Sequence, residues 1–164
     1  MADENNGMNQ NPGGQAVEPT LQLIGQYIRD LSFENPGLGM QVQRPQIDLA
    51  VDLQARRATE GQQAQTGNHY EVMLKLRVNA SDQNKPMFLL ELAYGGMFML
   101  NNVPEDSIQP ILLIECPRLL FPFARRIVAD VVRDGGLPPL LIEPIDFVSL
   151  YRSKMQEAQN ARVS

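Results

Sequence analysis

Two segments of this chain alternate between apolar and polar or small residues with a period of two. From Ile47 to Leu53 every second residue is Ile, Leu or Val, and from Tyr70 to Val78 the same alternation returns. Successive side chains of a strand point to opposite faces. A strand with this pattern therefore has one buried and one solvated face, as in an antiparallel sheet. The two segments predict a sheet of that kind.

A further strand is predicted over Met87–Leu100, which is apolar on both faces, after a tight turn at Ser81–Lys85. Gly95 and Gly96 interrupt the pattern of large residues and predict a bulge or a bend. Thr20–Glu34 is ambiguous. Leu21, Leu23, Tyr27, Leu31 and Phe33 share the parity of a strand, whereas Ile24, Tyr27, Ile28 and Leu31 fit helical spacing equally well.

The periodicity becomes helical after Pro104. Cys116-Pro117 and Phe121-Pro122 interrupt the helical segment, so the pattern predicts a kinked helix or two pieces. The helical stripe ends at Gly135-Gly136, and Asp146 can cap a final helix. Four strands followed by helices predict an α+β fold, a four-stranded antiparallel sheet with two C-terminal helices on one face.

The length of 164 residues predicts one domain, which we place at residues 20–155. Residues 1–19 are polar and predict a disordered tail, and residues 156–164 predict a flexible C-terminal tail. The first residues are acidic and lack an apolar block, so no signal peptide is expected, and no run is long enough for direct membrane insertion. With a single cysteine, Cys116, these features favour the cytoplasm.

Few residues point to catalytic chemistry. His69, the single histidine, has no Ser or Cys near it in sequence, and Cys116 lies in an apolar run typical of an inert buried thiol. We find no phosphate loop and no metal cluster, and expect no cofactor and no enzyme activity. Asp48 and Asp52 fall on the solvated face of a strand. The net charge of −5 argues against nucleic acid and favours a basic protein partner.

The chain carries more apolar surface than a small monomer of this kind can cover. The loop from Asn35 to Pro45 places Leu38, Met40 and Val42 among glycines, and Leu89 falls on the solvated parity of its strand. Eight methionines add flexible side chains that suit surfaces binding many shapes. These features predict oligomerisation.

Three strings of residues resemble the SecB family of protein-export chaperones: RDLSFENP at 29–36, FLLELAYGGMF at 88–98 and CPRLLFPFARRIVADVVRDGGLPPLLIEPIDF at 116–147. The resemblance implies that Thr20–Glu34 is an edge strand and that the protein is a homotetramer, a dimer of dimers. It also implies ATP-independent binding of unfolded preproteins, which are kept competent for translocation and delivered to the motor SecA.

The resemblance assigns roles to particular positions. The SecA-binding positions that it implies on an acidic sheet face are Asp30, Glu34, Leu89 and Glu91. Positions that it implies for tetramer assembly are Leu90, Leu92 and Tyr94. Client-binding positions that it implies in grooves lined by the crossover loop, the sheet edge and the last helix are Phe33, Leu38, Met40, Val42, Leu120, Phe121, Phe123, Phe147 and Leu150.

Two other functions are compatible with the residues. The first is a SecB-like chaperone dedicated to a toxin–antitoxin client, whose grooves would look alike in sequence. The second is a small thioesterase-like enzyme that uses an Asp or Glu, and it would need a buried carboxylate in a closed pocket. Asp52 is the position at which we would test that second function.

Overall fold

The computed structural model describes residues 14–58 and 67–163. The strands precede the helices, which confirms the predicted α+β class. The strands are β1 (Thr20–Glu34), β2 (Pro45–Arg57), β3 (His69–Asp82) and β4 (Lys85–Asn101), and the helical segments are α1 (Glu105–Pro110), a π-helical turn (Ile111–Glu115), α2 (Cys116–Asp134) and α3 (Phe147–Val163).

The four strands form one antiparallel sheet in the order β1-β4-β3-β2. β1 is therefore an edge strand, as the resemblance implies, and β2 is the other edge. We call the face that packs on the helices the inner face, and the opposite face the outer face. The alternation of residues 47–53 and 70–78 corresponds to these two faces, with Leu74 and Leu76 buried inside and Lys75 exposed outside.

The core lies between the inner face of β3 and β4 and the apolar stripe of α2. Leu74 and Leu90 on the sheet and Leu120 and Val128 on α2 have no exposed surface and belong to one cluster. Burial of a side chain of this size contributes about 1.5–3 kcal/mol. The two central strands and α2 therefore supply most of the packing, while the edge strands β1 and β2 are less well covered.

β1 contains two irregularities that the alternation of its sequence conceals. The register with β4 shifts between Leu23 and Gly25 and again between Ile28 and Asp30. Each extra residue reverses the faces of the side chains beyond it. Tyr27 consequently lies on the outer face opposite Gly95, so the prediction that it shares a face with Leu21 and Phe33 is wrong.

β4 is continuous through Gly95 and Gly96, so the bulge or bend predicted there is wrong. The two glycines are needed because both faces are crowded. A Cβ at Gly95 would lie 2.9 Å from the Tyr27 ring on the outer face, and one at Gly96 would lie 2.8 Å from Leu120 on the inner face. The nearby bulges lie in β1, the neighbouring strand, and the irregularity of β4 itself lies far from the glycines, at Met87.

The helical segment from Glu105 to Asp134 has no break at its prolines. Its irregularity is the π-helical turn, which ends just before Pro117. A proline ring collides with the carbonyl four residues earlier in an α-helix, and a π turn changes the geometry at that carbonyl. The interruption predicted near Pro117 thus takes the form of a local change of helix type.

β1 begins at Thr20, where the predicted domain begins, whereas the last helix extends past the predicted end of the domain at residue 155. Residues 14–19 have no regular structure, and the rest of the predicted N-terminal tail lies outside the described residues. Asp146 caps α3 as predicted, accepting the Ser149 amide at 3.0 Å, and this hydrogen bond lowers the pKa of Asp146. α3 continues to Val163, so residues 156–163 are helical and exposed where a tail was predicted.

Candidate functional site

The four residues assigned to the acidic face lie side by side on the outer face. Glu34 pairs with Leu89 across β1 and β4. Two residues further along β4, Glu91 pairs with Ser32, and two residues beyond that Ala93 pairs with Asp30. Directly opposed side chains in an antiparallel pair are about 4.5–5.5 Å apart at Cβ. The structure thus places three carboxylates in a row on the outer face, with the partly exposed Leu89 at one end of the row.

Basic side chains border this group on β3. The Arg77 guanidinium lies 3.5 Å from the Glu91 carboxylate, and Lys154 of α3 lies 3.2 Å from Asp52 on β2. Small side chains at Ala50 and Ala93 leave a trough of about 480 Å³ between these charges. The sequence places Lys75 and Arg77 on the solvated face but does not show that one of them contacts Glu91.

The other end of the outer face is partly apolar. Met73 lies on the outer face of β3 but is only 6% exposed. The Tyr27 ring and the end of the Met73 side chain both lie close to Gly95, so the ring helps to cover Met73. Burial, followed by the nearby Glu71 carboxylate, raises the pKa of Tyr27. Glu71 also pairs with Arg56 at 3.1 Å. The β1 bulges create this patch, and the alternation of residues does not reveal it.

The loop between β1 and β2, which we call the crossover loop, is tied to the sheet and to α2 at its start. The Asn35 side-chain amide donates to the Gly135 carbonyl at 2.8 Å, and the Gly37 amide donates to the Met87 carbonyl at 2.9 Å. A side chain at Gly37 would collide with the Met87 backbone at 2.7 Å. These contacts hold the loop beside the C-terminal end of α2.

Apolar side chains cluster at this junction. Phe33 packs on Phe88 with ring centroids 5.7 Å apart, and its ring also lies against Gly135. Leu38 approaches Gly136 but is 71% exposed, and Val42 is 41% exposed. The structure therefore brings together Phe33, Leu38 and the end of α2, with exposed apolar side chains on the crossover loop. We call this region the client groove, because it includes residues that the resemblance predicts to bind clients.

The remaining predicted client residues lie elsewhere. Leu120, Phe121 and Phe147 are core residues, and the last two rings form an edge-on pair 6.1 Å apart. Phe123 is exposed on α2, and Leu150 is half-buried on α3. In this structure, Phe123 and Leu150 are the two that a client could reach without displacing the helices.

The positions assigned to tetramer assembly are buried within one chain. Leu90, Leu92 and Tyr94 lie on the inner face in the cluster that includes α2. Sequence reasoning missed the exposed apolar residues at the margins of that face. The exposure of these residues could have been predicted from the position of their strands, because a strand at the edge of a sheet has a neighbouring strand on one side only. They are Ile28 and Leu31 on β1, Ile47 and Leu49 on β2, and Leu119 on α2.

Two groups considered for chemistry have clear environments. Cys116 is fully buried, and burial, assisted by the Glu115 carboxylate, raises the pKa of its thiol to about 12. It is therefore a core residue, as predicted. Asp52 is half exposed on the outer face and paired with Lys154. It does not meet the requirement of the thioesterase-like hypothesis for a buried carboxylate.

Comparison with known proteins defines the class. The family model described as "Preprotein translocase subunit SecB" matches residues 14–158. The protein-export protein SecB of Hyphomonas neptunium is 49% identical over 159 residues, covering 96% of this chain and 93% of the relative. That of Paramagnetospirillum magneticum is 53% identical over 144 residues, covering 85% and 88%.

Among solved structures, the Mycobacterium tuberculosis SecB-like chaperone Rv1957, in complex with a ChAD peptide from the antitoxin HigA1, matches with a TM-score of 0.63. It is 14% identical and the match covers 77% of this chain and 91% of that one, so it supports the fold. The fold and the relatives define a protein-export chaperone. The chain belongs to the SecB family. No helix within the described ranges is long and apolar enough to cross a membrane.

Proposed function

We propose that this protein is a cytoplasmic, ATP-independent chaperone that holds unfolded preproteins and delivers them to the SecA motor. The observation that carries the proposal is the separation of two surfaces. The client groove beside the crossover loop exposes apolar side chains such as Leu38 and Val42. The outer face presents Asp30, Glu34 and Glu91 in a row that ends at Leu89. A delivery protein needs to hold its client and its receiver at the same time.

Client capture at the groove requires no chemistry. A protein that binds the unfolded state and not the native state shifts the folding equilibrium by mass action. Exposed apolar side chains recognise features that every unfolded chain shares and every folded one hides. We propose contacts from Phe33, Leu38, Met40 and Val42, with Phe123 and Leu150 contributing from the helices. Each groove binds weakly, and a long client touching several grooves gains affinity through effective concentration.

That gain requires several copies of the chain in one particle. We propose a homotetramer built as a dimer of dimers. The exposed inner-face residues at the margins of the sheet support association, since Ile28 and Leu31 on β1 are 48% and 39% exposed. The open edge of β1 supports pairing with a second copy. Leu90, Leu92 and Tyr94 would influence the assembly through the position of α2, against which they pack.

Delivery is assigned to the outer face. Three carboxylates on one face of the sheet attract a basic surface and accelerate its encounter. Leu89 lies beside Glu34 at one end of their row and offers an apolar contact that survives at higher salt. Asp30 and Glu34 come from the edge strand, so both β1 strands of a paired dimer would contribute to one continuous acidic surface.

The proposal is tested by mixing the protein with a slow-folding preprotein, without ATP, and following aggregation by light scattering. Suppression at one tetramer per client is expected. The reversal of charge in Asp30→Lys with Glu91→Lys should abolish SecA binding and leave suppression unchanged. Glu105→Lys with Asp106→Lys, which makes the same change of net charge at the exposed start of α1, should leave both unchanged. Equal loss of both activities in the outer-face variant would contradict the separation of surfaces.

A pulldown from cytosol decides between clients. Preproteins and SecA are expected among the captured proteins. A single antitoxin, captured without SecA, would instead support the dedicated role, which the solved complex of the mycobacterial relative with an antitoxin peptide brings into consideration.

A further inference from the structure

A buried carboxylate lies where the crossover loop ends. Asp82 is 4% exposed. Within residues 14–58 and 67–163 it is the one acidic residue that is buried. Its two oxygens accept the backbone amides of Gln43 and Arg44 at 2.5 and 2.9 Å. A carboxylate is removed from water only where such charge-assisted hydrogen bonds replace its hydration. Asp82 therefore binds the backbone of the loop and not another side chain.

The element that presents Asp82 is rigid. It is the last residue of β3 and pairs with Lys85 across a two-residue turn. Gln83 and Asn84 in that turn have φ values of 49° and 64°, which are typical of the tight turns that match the twist of a hairpin. Gln83 adds a third contact to the loop, donating to the Gln43 side-chain carbonyl at 3.0 Å.

The crossover loop is thus held at both ends with its apolar residues between. Gly37 is bound to Met87 at the start, and Gln43 and Arg44 are bound to Asp82 at the end. Leu38, Met40 and Val42 fall in the interval, and Met40 lines a cavity of about 280 Å³ together with Asp82 and Gln83. The closing contact at Asp82 fixes the length and direction of this interval.

We propose that Asp82 is a positioning residue for client capture, whose carboxylate holds the crossover loop so that Met40 and Val42 are already placed at the client groove. This inference rests on the proposed function. A loop that is ordered in the free chaperone does not have to be ordered when the client binds, and the affinity rises accordingly. Asp82 itself is buried and does not contact the client.

The test measures binding of a fluorescent, permanently unfolded polypeptide, prepared by reducing and carboxymethylating a disulfide protein. Asp82→Ala should weaken its affinity about tenfold, since several loop side chains must then be ordered on binding. Asp82→Asn keeps one acceptor oxygen and should give an intermediate loss. SecA binding should remain at the wild-type level, because the outer face is unchanged. Asp48→Ala, which removes an exposed carboxylate from the outer face, is the control for net charge in the client measurement.

Amide exchange supplies a readout specific to the proposed contact. In Asp82→Ala the amides of Gln43 and Arg44 should exchange faster, while the amide of Gly37, bound to Met87, should keep its protection. Cysteines at positions 43 and 83, joined by a short thiol crosslinker, should restore the client affinity of Asp82→Ala to within a factor of about two of wild type. Cys116 is fully buried and does not compete for the crosslinker.

The outcomes separate the two proposals. Unchanged client affinity in Asp82→Ala with accelerated exchange at Gln43 and Arg44 would overturn the inference alone. A loss of affinity that the crosslink does not repair would also overturn it, since the defect would then lie outside the loop. Failure of the wild-type protein to bind the unfolded polypeptide would overturn the proposed function and this inference with it.

Discussion

The two faces of the sheet share the same four strands and differ in almost everything else. The inner face is apolar and covered by helices, and residues such as Leu74 and Leu92 are buried there. The outer face carries charged residues such as Lys75 and Glu91, and its apolar residues Leu89, Met97 and Met99 are partly exposed. Adjacent residues of one strand therefore experience different constraints. Packing determines the inner residue, and contact with water and partners determines the outer one.

The largest difference between the faces is expected for two leucines of β4. Leu92→Ala on the inner face removes a fully enclosed side chain and should lower the free energy of unfolding by about 2–5 kcal/mol. Leu89→Ala on the outer face should lower it by less than about 1 kcal/mol and instead weaken SecA binding. Urea unfolding and a binding isotherm measure the two effects. Equal destabilisation by both variants would show that the outer face is also covered in the assembled protein.

The adjacent glycines give a finer comparison. A Cβ at Gly96 would meet Leu120 and Phe98, both fully buried, so Gly96→Ala should cost about 1–3 kcal/mol. A Cβ at Gly95 would meet the Tyr27 ring and the end of Met73, which can move outward, so Gly95→Ala should cost less than about 1 kcal/mol. The shift in urea midpoint at constant m-value measures both costs. A larger loss at Gly95 would contradict this assignment of the faces.

An effect confined to alkaline pH is expected from the thiol of Cys116. Its folded pKa of about 12 exceeds the unfolded value near 9, so the unfolded chain releases the proton first as the pH rises. The thiol therefore contributes stability that is complete below pH 9 and lost progressively towards pH 12. Wild type should lose more stability than Cys116→Ala over that interval in urea titrations.

The control for the thiol is a cysteine on the other face. At neutral pH a maleimide should label a cysteine placed at Ser32 at once, whereas Cys116 should react only after the chain unfolds. Parallel pH profiles of wild type and Cys116→Ala would argue against burial of the thiol in solution.

The smallest effect is expected for the exposed ion pair between Arg77 and Glu91. Arg77→Ala should change the free energy of unfolding by less than about 0.5 kcal/mol, because exposed pairs contribute little. The same change frees the Glu91 carboxylate and should strengthen SecA binding at low salt, with the gain disappearing as the ionic strength rises. Weaker binding at low salt would indicate that Arg77 itself contacts the motor.

Much of the architecture follows from local pattern. Period-two alternation identified the sheet and its faces at residues 47–53 and 70–78, and turn residues identified the hairpin before β4. Helical spacing with Gly135 and Asp146 located the ends of the helices. These features depend on neighbours in sequence, so a single chain displays them. Membership of the family came from longer strings of residues.

Other features depend on contacts between distant residues. The bulges of β1 arise from its pairing with β4, and β1 alone does not indicate where a residue is skipped. The glycines of β4 predicted a bulge or a bend at their own position, whereas the neighbouring strand β1 is the one that bulges nearby. The glycines are small because Tyr27 and Leu120, from other elements, pack against them. The attachment of Gln43 to Asp82 joins positions 39 residues apart. Sequence pattern marked the crossover loop as apolar but could not show what holds it.

The paired bulges of β1 also govern how this strand can change in length. Deleting Arg29 would remove the extra residue between the pairs Ile28–Tyr94 and Asp30–Ala93 and leave the side chains on both sides of the deletion on the faces that they now occupy. Deleting a paired residue such as Ser32 would instead turn every side chain on one side of the deletion to the opposite face of the sheet. Single deletions in this strand should therefore be tolerated at positions 24 and 29 and not at the paired positions.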